Sequence, residues 1–152
     1  MNKIDSLEPE FKPKIQAIID ELKTHGITCV VTSGRRTMAE QTALWKQGRD
    51  DDGNVIGEIV TKAKAGQSAH NFGLAADLCP LDAHGNLWWD APDDVWHVIH
   101  NIAEREGYVP MDRQQEALDS GYDWKFRDSP HIESSSWREA QAEWKAGRLV
   151  VA

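Results

Sequence analysis

The sequence has no apolar run long enough to cross a bilayer, and its opening stretch, MNKIDSLEPEFKPK, lacks the apolar centre of a signal peptide. Membrane insertion and leader-driven export are therefore not expected, and the chain should be made and kept in the cytoplasm unless something else releases it. Cysteine is scarce. Cys29 and Cys79 are the only two, both in apolar strand-like segments, where buried reduced thiols fit better than a disulfide. No run of Lys and Arg relieves a formal net charge of −8, so nothing on the surface is suited to neutralising phosphates, and nucleic acid is not an expected partner. Repeats and low-complexity tracts are absent too. What is present, 152 residues at 40% hydrophobic and 28% charged, fits a single domain, residues 1–152, expected to act as a monomer.

Apolar residues recur at helical spacing through Phe11, Ile15, Ile18, Ile19 and Leu22, with Gly26 as the stop. Ile27 to Thr32 is β-rich and predicts a buried strand. The turn SGRRT leads to Thr37, which with Glu40 forms a capping box and opens a helix to about Gln47, with Ala43 and Leu44 toward the core. Residues 48–66 are a long connection. Its DDDGN run hints at calcium, but no glycine stands sixth from Asp50, so a solvated loop is expected. Leu74 to Leu78 reads as a second strand, with Ala75 and Asp77 on one face, and LDAHGNLWW as a hairpin turning at His84-Gly85-Asn86.

Asp90 is expected to cap a helix with Pro92 in its first turn and a buried stripe of Val95, Ile99, Ile102 and Ala103. His97 and His100 on that helix read as surface or packing residues. Tyr108–Met111, Tyr122–Phe126 and His131-Ile132 read as strands, and Ser134 to Ser136 as the cap of a last helix carrying Trp137, Ala140 and Trp144. The sum is an α+β fold, a small and mainly antiparallel sheet packed with helices.

The chemistry centres on GQSAHNFGLAADL, residues 66–78. His70 comes from a glycine-bearing turn and Asp77 from the strand that follows, and His131 in RDSPHIE is the best third ligand. Two imidazoles and a carboxylate, with water in a fourth position, suit one catalytic zinc ion. Zinc lowers the pKa of that water from about 15.7 toward about 7. Asp128, across a proline turn from His131, is placed to act as general base and then general acid. Arg35 and Arg36 offer a cation for a developing oxyanion, and adjacent residues on an extended segment point opposite ways, so one of them should reach the site. These parts together serve metal-assisted amide hydrolysis. Plainer roles exist for each: Asp128 as a turn former, the arginines as surface charges, Ser68 as a cap.

These residues resemble a known family. S-A-H-N-F-G-L-A-A-D fits the S-x-H-x-x-G-x-A-x-D signature of the zinc D-alanyl-D-alanine carboxypeptidase and dipeptidase superfamily. D-S-P-H resembles its acid-x-x-His element, and V-T-S-G-R-R-T its S-G-Y-R-[ST] segment, with Arg35 where tyrosine is common. E-Q-T-A-L-W-K-Q-G-R, residues 40–49, is similar to a helix of the L-alanyl-D-glutamate endopeptidase branch, which includes phage endolysins.

The resemblance implies the fold that this family shares with Hedgehog-like domains, with the zinc site at the sheet. It implies His70, Asp77 and His131 as zinc ligands, Asp128 as the catalytic acid/base and Arg36 as the residue steadying the scissile carbonyl. Ser68, Gln41 and Arg35 are implied near the substrate, the peptide stem of peptidoglycan. An endolysin would wait in the host cytoplasm until a separate membrane pore gave it access to the wall, and the chain is expected to lack a wall-binding module. Three alternatives remain: a D-alanyl-D-alanine carboxypeptidase or dipeptidase with the same metal chemistry, a non-catalytic zinc module of the same fold, and a metal-dependent nuclease using the His70-Asn71 pair, which the acidic surface disfavours.

Overall fold

The computed structural model describes residues 2–110 and 130–152. A short 3₁₀ turn, Ile4–Ser6, precedes α1 (Lys12–Thr24), β1 (Cys29–Ser33) and α2 (Met38–Lys46). A second 3₁₀ turn, Ala69–Phe72, leads into β2 (Ala75–Pro80), followed by α3 (Asp93–Arg105), β3 (Val109–Pro110), β4 (His131–Glu133) and α4 (Trp137–Lys145). The strands form one sheet in the order β1-β2-β4-β3, every pair antiparallel. This is the α+β arrangement that the sequence predicts. The strand expected over Tyr122–Phe126 lies outside the described residues.

The sheet has two chemically different faces, and strand alternation separates them. Val31 pairs with Leu78 and Ala76 with Ile132, and all four are fully buried. Asp77 pairs with His131, and Ala75 with Glu133, on the other face. A register shift between Val31 and Ser33 sets Ser33 rather than Thr32 opposite Asp77. Such a bulge re-aims a side chain beside a site, and here it delivers Ser33 to the polar face.

The helices cover the apolar side for reasons visible in their patterns. α1 buries Ile15, Ile18 and Leu22, each contributing roughly 1.5–3 kcal/mol on removal from water. It packs on α3, and α3 on β3. α3 buries Ile99, Ile102 and Ala103, together with Trp96 and His100. His100 is thus a packing residue beside the Trp96 ring, while His97 is exposed. The cap of α3 differs from expectation. Pro92 is the N-cap, because proline drives the residue before it out of helical geometry and so keeps Asp90 outside the helix.

α2 has the expected capping box between Thr37 and Glu40. Its inward residues differ: Gln41 is its buried residue, Ala43 is exposed and Leu44 half-buried. The helix lies along a cleft rather than on the core, and Leu44 lines that cleft. Ser136 stands at the start of α4 but its side chain makes no capping bond; the Ser134 hydroxyl instead accepts from the Ser136 N–H. The hairpin over residues 81–89 closes as expected, with a Leu81–Leu87 bridge and the Asp82 carboxylate accepting from the His84 and Asn86 N–H groups. In the long connection the Asp50 carboxylate accepts from the N–H groups of Asp52 and Asn54, so these groups satisfy one another.

Cys29 stands opposite Pro80 and Cys79 opposite Val30, which points the two thiols to opposite faces. Both are free and buried. Burial, reinforced by the neighbouring Cys79, pushes the Cys29 thiol up to about 12.

Candidate metal centre

The polar face of the sheet carries Asp77 on β2 and His131 on β4, directly opposite one another. His70 arrives from the Ala69–Phe72 turn, which ends at Gly73 in a left-handed conformation with φ +70°. A Cβ at Gly73 would stand 2.8 Å from the backbone nitrogen of Glu8 and closer still to the Arg35 guanidinium. Glycine is therefore needed both for the conformation and for the close approach. The turn opens with the Ser68 hydroxyl accepting from the His70 N–H at 3.3 Å, so Ser68 does act as a cap. It also lines the cleft.

One ligand atom from each of His70, Asp77 and His131 lies within 4.8 Å of the other two. Asp77 Oδ1 is 3.4 Å from His70 Nε2 and 3.4 Å from His131 Nδ1, and among the described residues this buried oxygen has no hydrogen-bond partner. The tautomers follow from the other ring nitrogens. His70 Nδ1 is 2.8 Å from the Gly34 carbonyl oxygen, and His131 Nε2 is 2.7 Å from a Glu133 carboxylate oxygen. Both oxygens only accept, so those two nitrogens carry the protons. In the neutral rings, His70 Nε2 and His131 Nδ1 then present lone pairs toward Asp77.

Three acceptors converging without a proton between them call for a cation. An ion with bonds of about 2.05 Å in tetrahedral geometry sets its ligands about 3.3 Å apart, close to both 3.4 Å separations. The donor set of two imidazoles and a carboxylate fits zinc. Burial acts to raise the Asp77 carboxyl, and the facing His131 and His70, when protonated, outweigh it and hold the group well below the usual carboxylate range.

The site opens into a cleft of about 500 Å³ whose wall includes Arg36, Ser68 and Arg138. Arg36 is fixed there from two sides: Nη1 donates to Gln41 Oε1 at 2.9 Å and Nη2 to Ser33 Oγ at 3.2 Å. Its backbone N–H donates to the His70 carbonyl at 2.9 Å, tying the cation to the ligand turn. Arg35 goes the other way. Its Nε donates to the Ser6 carbonyl and its backbone N–H to the Ser6 hydroxyl, so it fastens the N-terminal turn. The resemblance implies a place near the substrate for Arg35; the structure bonds it to the N-terminal turn, and the alternation of an extended segment lets only one of the two arginines reach the cleft. Gln41, which the resemblance also implies near the substrate, is fully buried and divides its amide between Arg36 and the Ala63 carbonyl, 2.8 Å away. Asp128 lies outside the described residues.

Three further residues support the site. Ser33 holds Arg36. Asn71, fully buried, donates to the Arg36 carbonyl at 3.0 Å and accepts from the Gly66 N–H at 3.0 Å, joining both approaches to the site. Glu133 stands two residues after His131, and strand alternation alone would have put it on the same face.

A family model described as VanY, D-alanyl-D-alanine carboxypeptidase, matches residues 4–128. The peptidoglycan L-alanyl-D-glutamate endopeptidase CwlK of Bacillus subtilis is 36% identical over 135 residues, covering 84% of this chain and 72% of that protein. Among solved structures, the vancomycin-resistance D,D-pentapeptidase VanY in complex with Zn(II) superposes with a TM-score of 0.63 at 18% identity, over 93% of this chain and 79% of that one. The Serratia marcescens L-Ala D-Glu endopeptidase ChiX gives a TM-score of 0.55 at 18% identity, over 91% and 86% of the two chains. With a family match across most of its length and a relative above one-third identity, the chain belongs to the D-alanyl-D-alanine carboxypeptidase family.

Proposed function

We propose that this chain is a zinc-dependent endopeptidase that cuts the L-alanyl-D-glutamate bond in the stem peptide of peptidoglycan. The observation that carries the hydrolase reading is the convergence of His70 Nε2, Asp77 Oδ1 and His131 Nδ1 at the floor of a cleft walled by Arg36. The choice of bond is supported by the similarity to CwlK.

His70, Asp77 and His131 would hold the ion. Zinc supplies Lewis-acid chemistry there, making water a usable nucleophile near neutral pH. Arg36, already oriented by Ser33 and Gln41, presents positive charge to the carbonyl oxygen of the scissile amide as that oxygen gains charge. Such preorganised donors contribute because they need no rearrangement in the transition state. Ser68, on the cleft wall, is assigned to the substrate backbone. Asp128 is assigned the proton traffic, taking a proton from the attacking water and giving it to the departing amine.

The cellular setting we propose is phage-type lysis, in which the enzyme reaches the wall from the cytoplasm through a separate membrane pore. Support comes from the likeness of residues 40–49 to the endolysin branch. Purified peptidoglycan digested with the enzyme and analysed by mass spectrometry tests the activity. New N-terminal D-glutamate is expected; release of D-alanine instead would assign the terminal bond and a carboxypeptidase. Co-expression in bacteria with and without a pore-forming protein tests the setting, with lysis expected only with the pore.

A further inference from the structure

We propose that Glu133 is a positioning residue that fixes which nitrogen of His131 faces the metal and ties that ligand to the cleft wall; this rests on the metal reading above. One Glu133 oxygen is 2.7 Å from His131 Nε2, and the other accepts from Trp137 Nε1 at 2.6 Å. A carboxylate can satisfy two donors at once, one per oxygen. His131 therefore keeps its proton on Nε2, and Nδ1 is left to face Asp77.

The environment makes this contact strong and the geometry single-valued. The side chains of His131 and Glu133 are 7% and 14% exposed, and hydrogen bonds to a charged group strengthen as water is excluded. Opposite Glu133 on β2 stands the small residue Ala75. Trp137, the first residue of α4, is itself buried. Its ring stacks on Phe72, centroids 6.3 Å apart at 25°, and Phe72 lies in the same short turn as His70. Glu133 thus connects the strand-borne imidazole, through Trp137, to the turn that presents the other imidazole. A carboxylate behind a metal-bound imidazole raises ligand basicity and fixes ring orientation, and losing one costs about 10–100-fold in metal affinity.

Two measurements test this, and neither uses peptide cleavage. In the metal-free protein, two-bond proton–nitrogen correlations of the His131 ring should show the Nε2–H tautomer in the wild type and a mixture in Glu133→Ala. Competition with a chromogenic chelator should show zinc bound about 10–100-fold more weakly by Glu133→Ala. Should that variant fail to fold, Glu133→Gln carries the test, since its amide offers an oxygen to only one of the two donors. Zinc affinity should fall in Glu133→Gln and recover when Trp137→Phe removes the second donor. A role confined to stability would not produce that recovery. Unchanged zinc affinity and an unchanged tautomer in the Glu133 variants would overturn the proposal. If these shifts appear while defined stem peptides stay intact, the substrate assignment fails and the role of Glu133 stands.

Discussion

Replacing Gly66 by alanine should damage the protein through two separable effects. Gly66 has φ +81°, and a Cβ built there falls 2.3 Å from Cζ3 and 2.4 Å from Cη2 of Trp144. The left-handed conformation costs an L-residue about 1–2 kcal/mol. Forcing a methyl group into an occupied space adds about 1–3 kcal/mol. The Trp144 ring has little room to retreat, because Phe72 meets it edge-on at 6.0 Å. The backbone cannot move freely either: the Gly66 N–H is bound to Asn71 Oδ1 and its carbonyl accepts from Gln141 Nε2 at 2.7 Å. The combined loss should be about 2–5 kcal/mol.

Urea denaturation of the wild type, Gly66→Ala, Trp144→Ala and the double variant separates the two contributions. Removing the ring abolishes the collision and leaves the backbone cost, so Gly66→Ala should be about 1–3 kcal/mol less damaging in the Trp144→Ala background. A Gly66→Ala loss below about 0.5 kcal/mol, the range of an inert surface change, would refute the argument. An equal loss with and without Trp144 would refute the collision alone.

The remaining predictions bear on the metal centre and on pH. Chelation should abolish peptide cleavage and added zinc restore it, while His70→Ala and His131→Ala should no longer hold stoichiometric zinc by elemental analysis. Arg36→Ala should lower kcat by about 10²–10³-fold with zinc content unchanged, and Arg36→Lys should recover little, since a compact ammonium lacks the planar fork whose two nitrogens reach Gln41 and Ser33 separately. The Cys29 thiol, raised from its ordinary 9.0 to about 12, keeps its proton in the folded chain after the unfolded chain has lost it. That contribution is complete below about pH 9 and fades as pH climbs toward 12, by at most about 4 kcal/mol; Cys29→Ala should show a flatter fall in urea-measured stability over that window.

Much of this was legible in local pattern. The stripe through Ile15, Ile18 and Leu22 and the Thr37–Glu40 box are decided by neighbours in sequence, and each element formed within a few residues of its expected place. His70, Asp77 and His131 were legible because their residue types admit few other reasons to share a cleft. The errors share a cause. Ala43 and Leu44 looked inward because helical spacing shows which residues share a face, not what that face meets. For Arg35 and Gln41 the resemblance aligns positions but does not show their partners in the fold, Ser6 for the one and Arg36 and Ala63 for the other, which long-range packing sets.

The least legible feature, the bulge between Val31 and Ser33, is also the one on which the arrangement of the cleft turns. Without it, Thr32 would stand opposite Asp77 and the Ser33 side chain would turn to the apolar face, since one residue of slip exchanges the two sides of a strand. Arg36 would then lose one of its two anchors, while Gln41 continued to hold the other. Two of the three metal ligands need no such device: Asp77 and His131 meet through unbroken pairing of β2 with β4. The fold therefore sets the two strand-borne ligands by regular register and one anchor of the neighbouring Arg36 by a local irregularity. Changes around Thr32 and Ser33 should accordingly disturb turnover before they disturb metal binding.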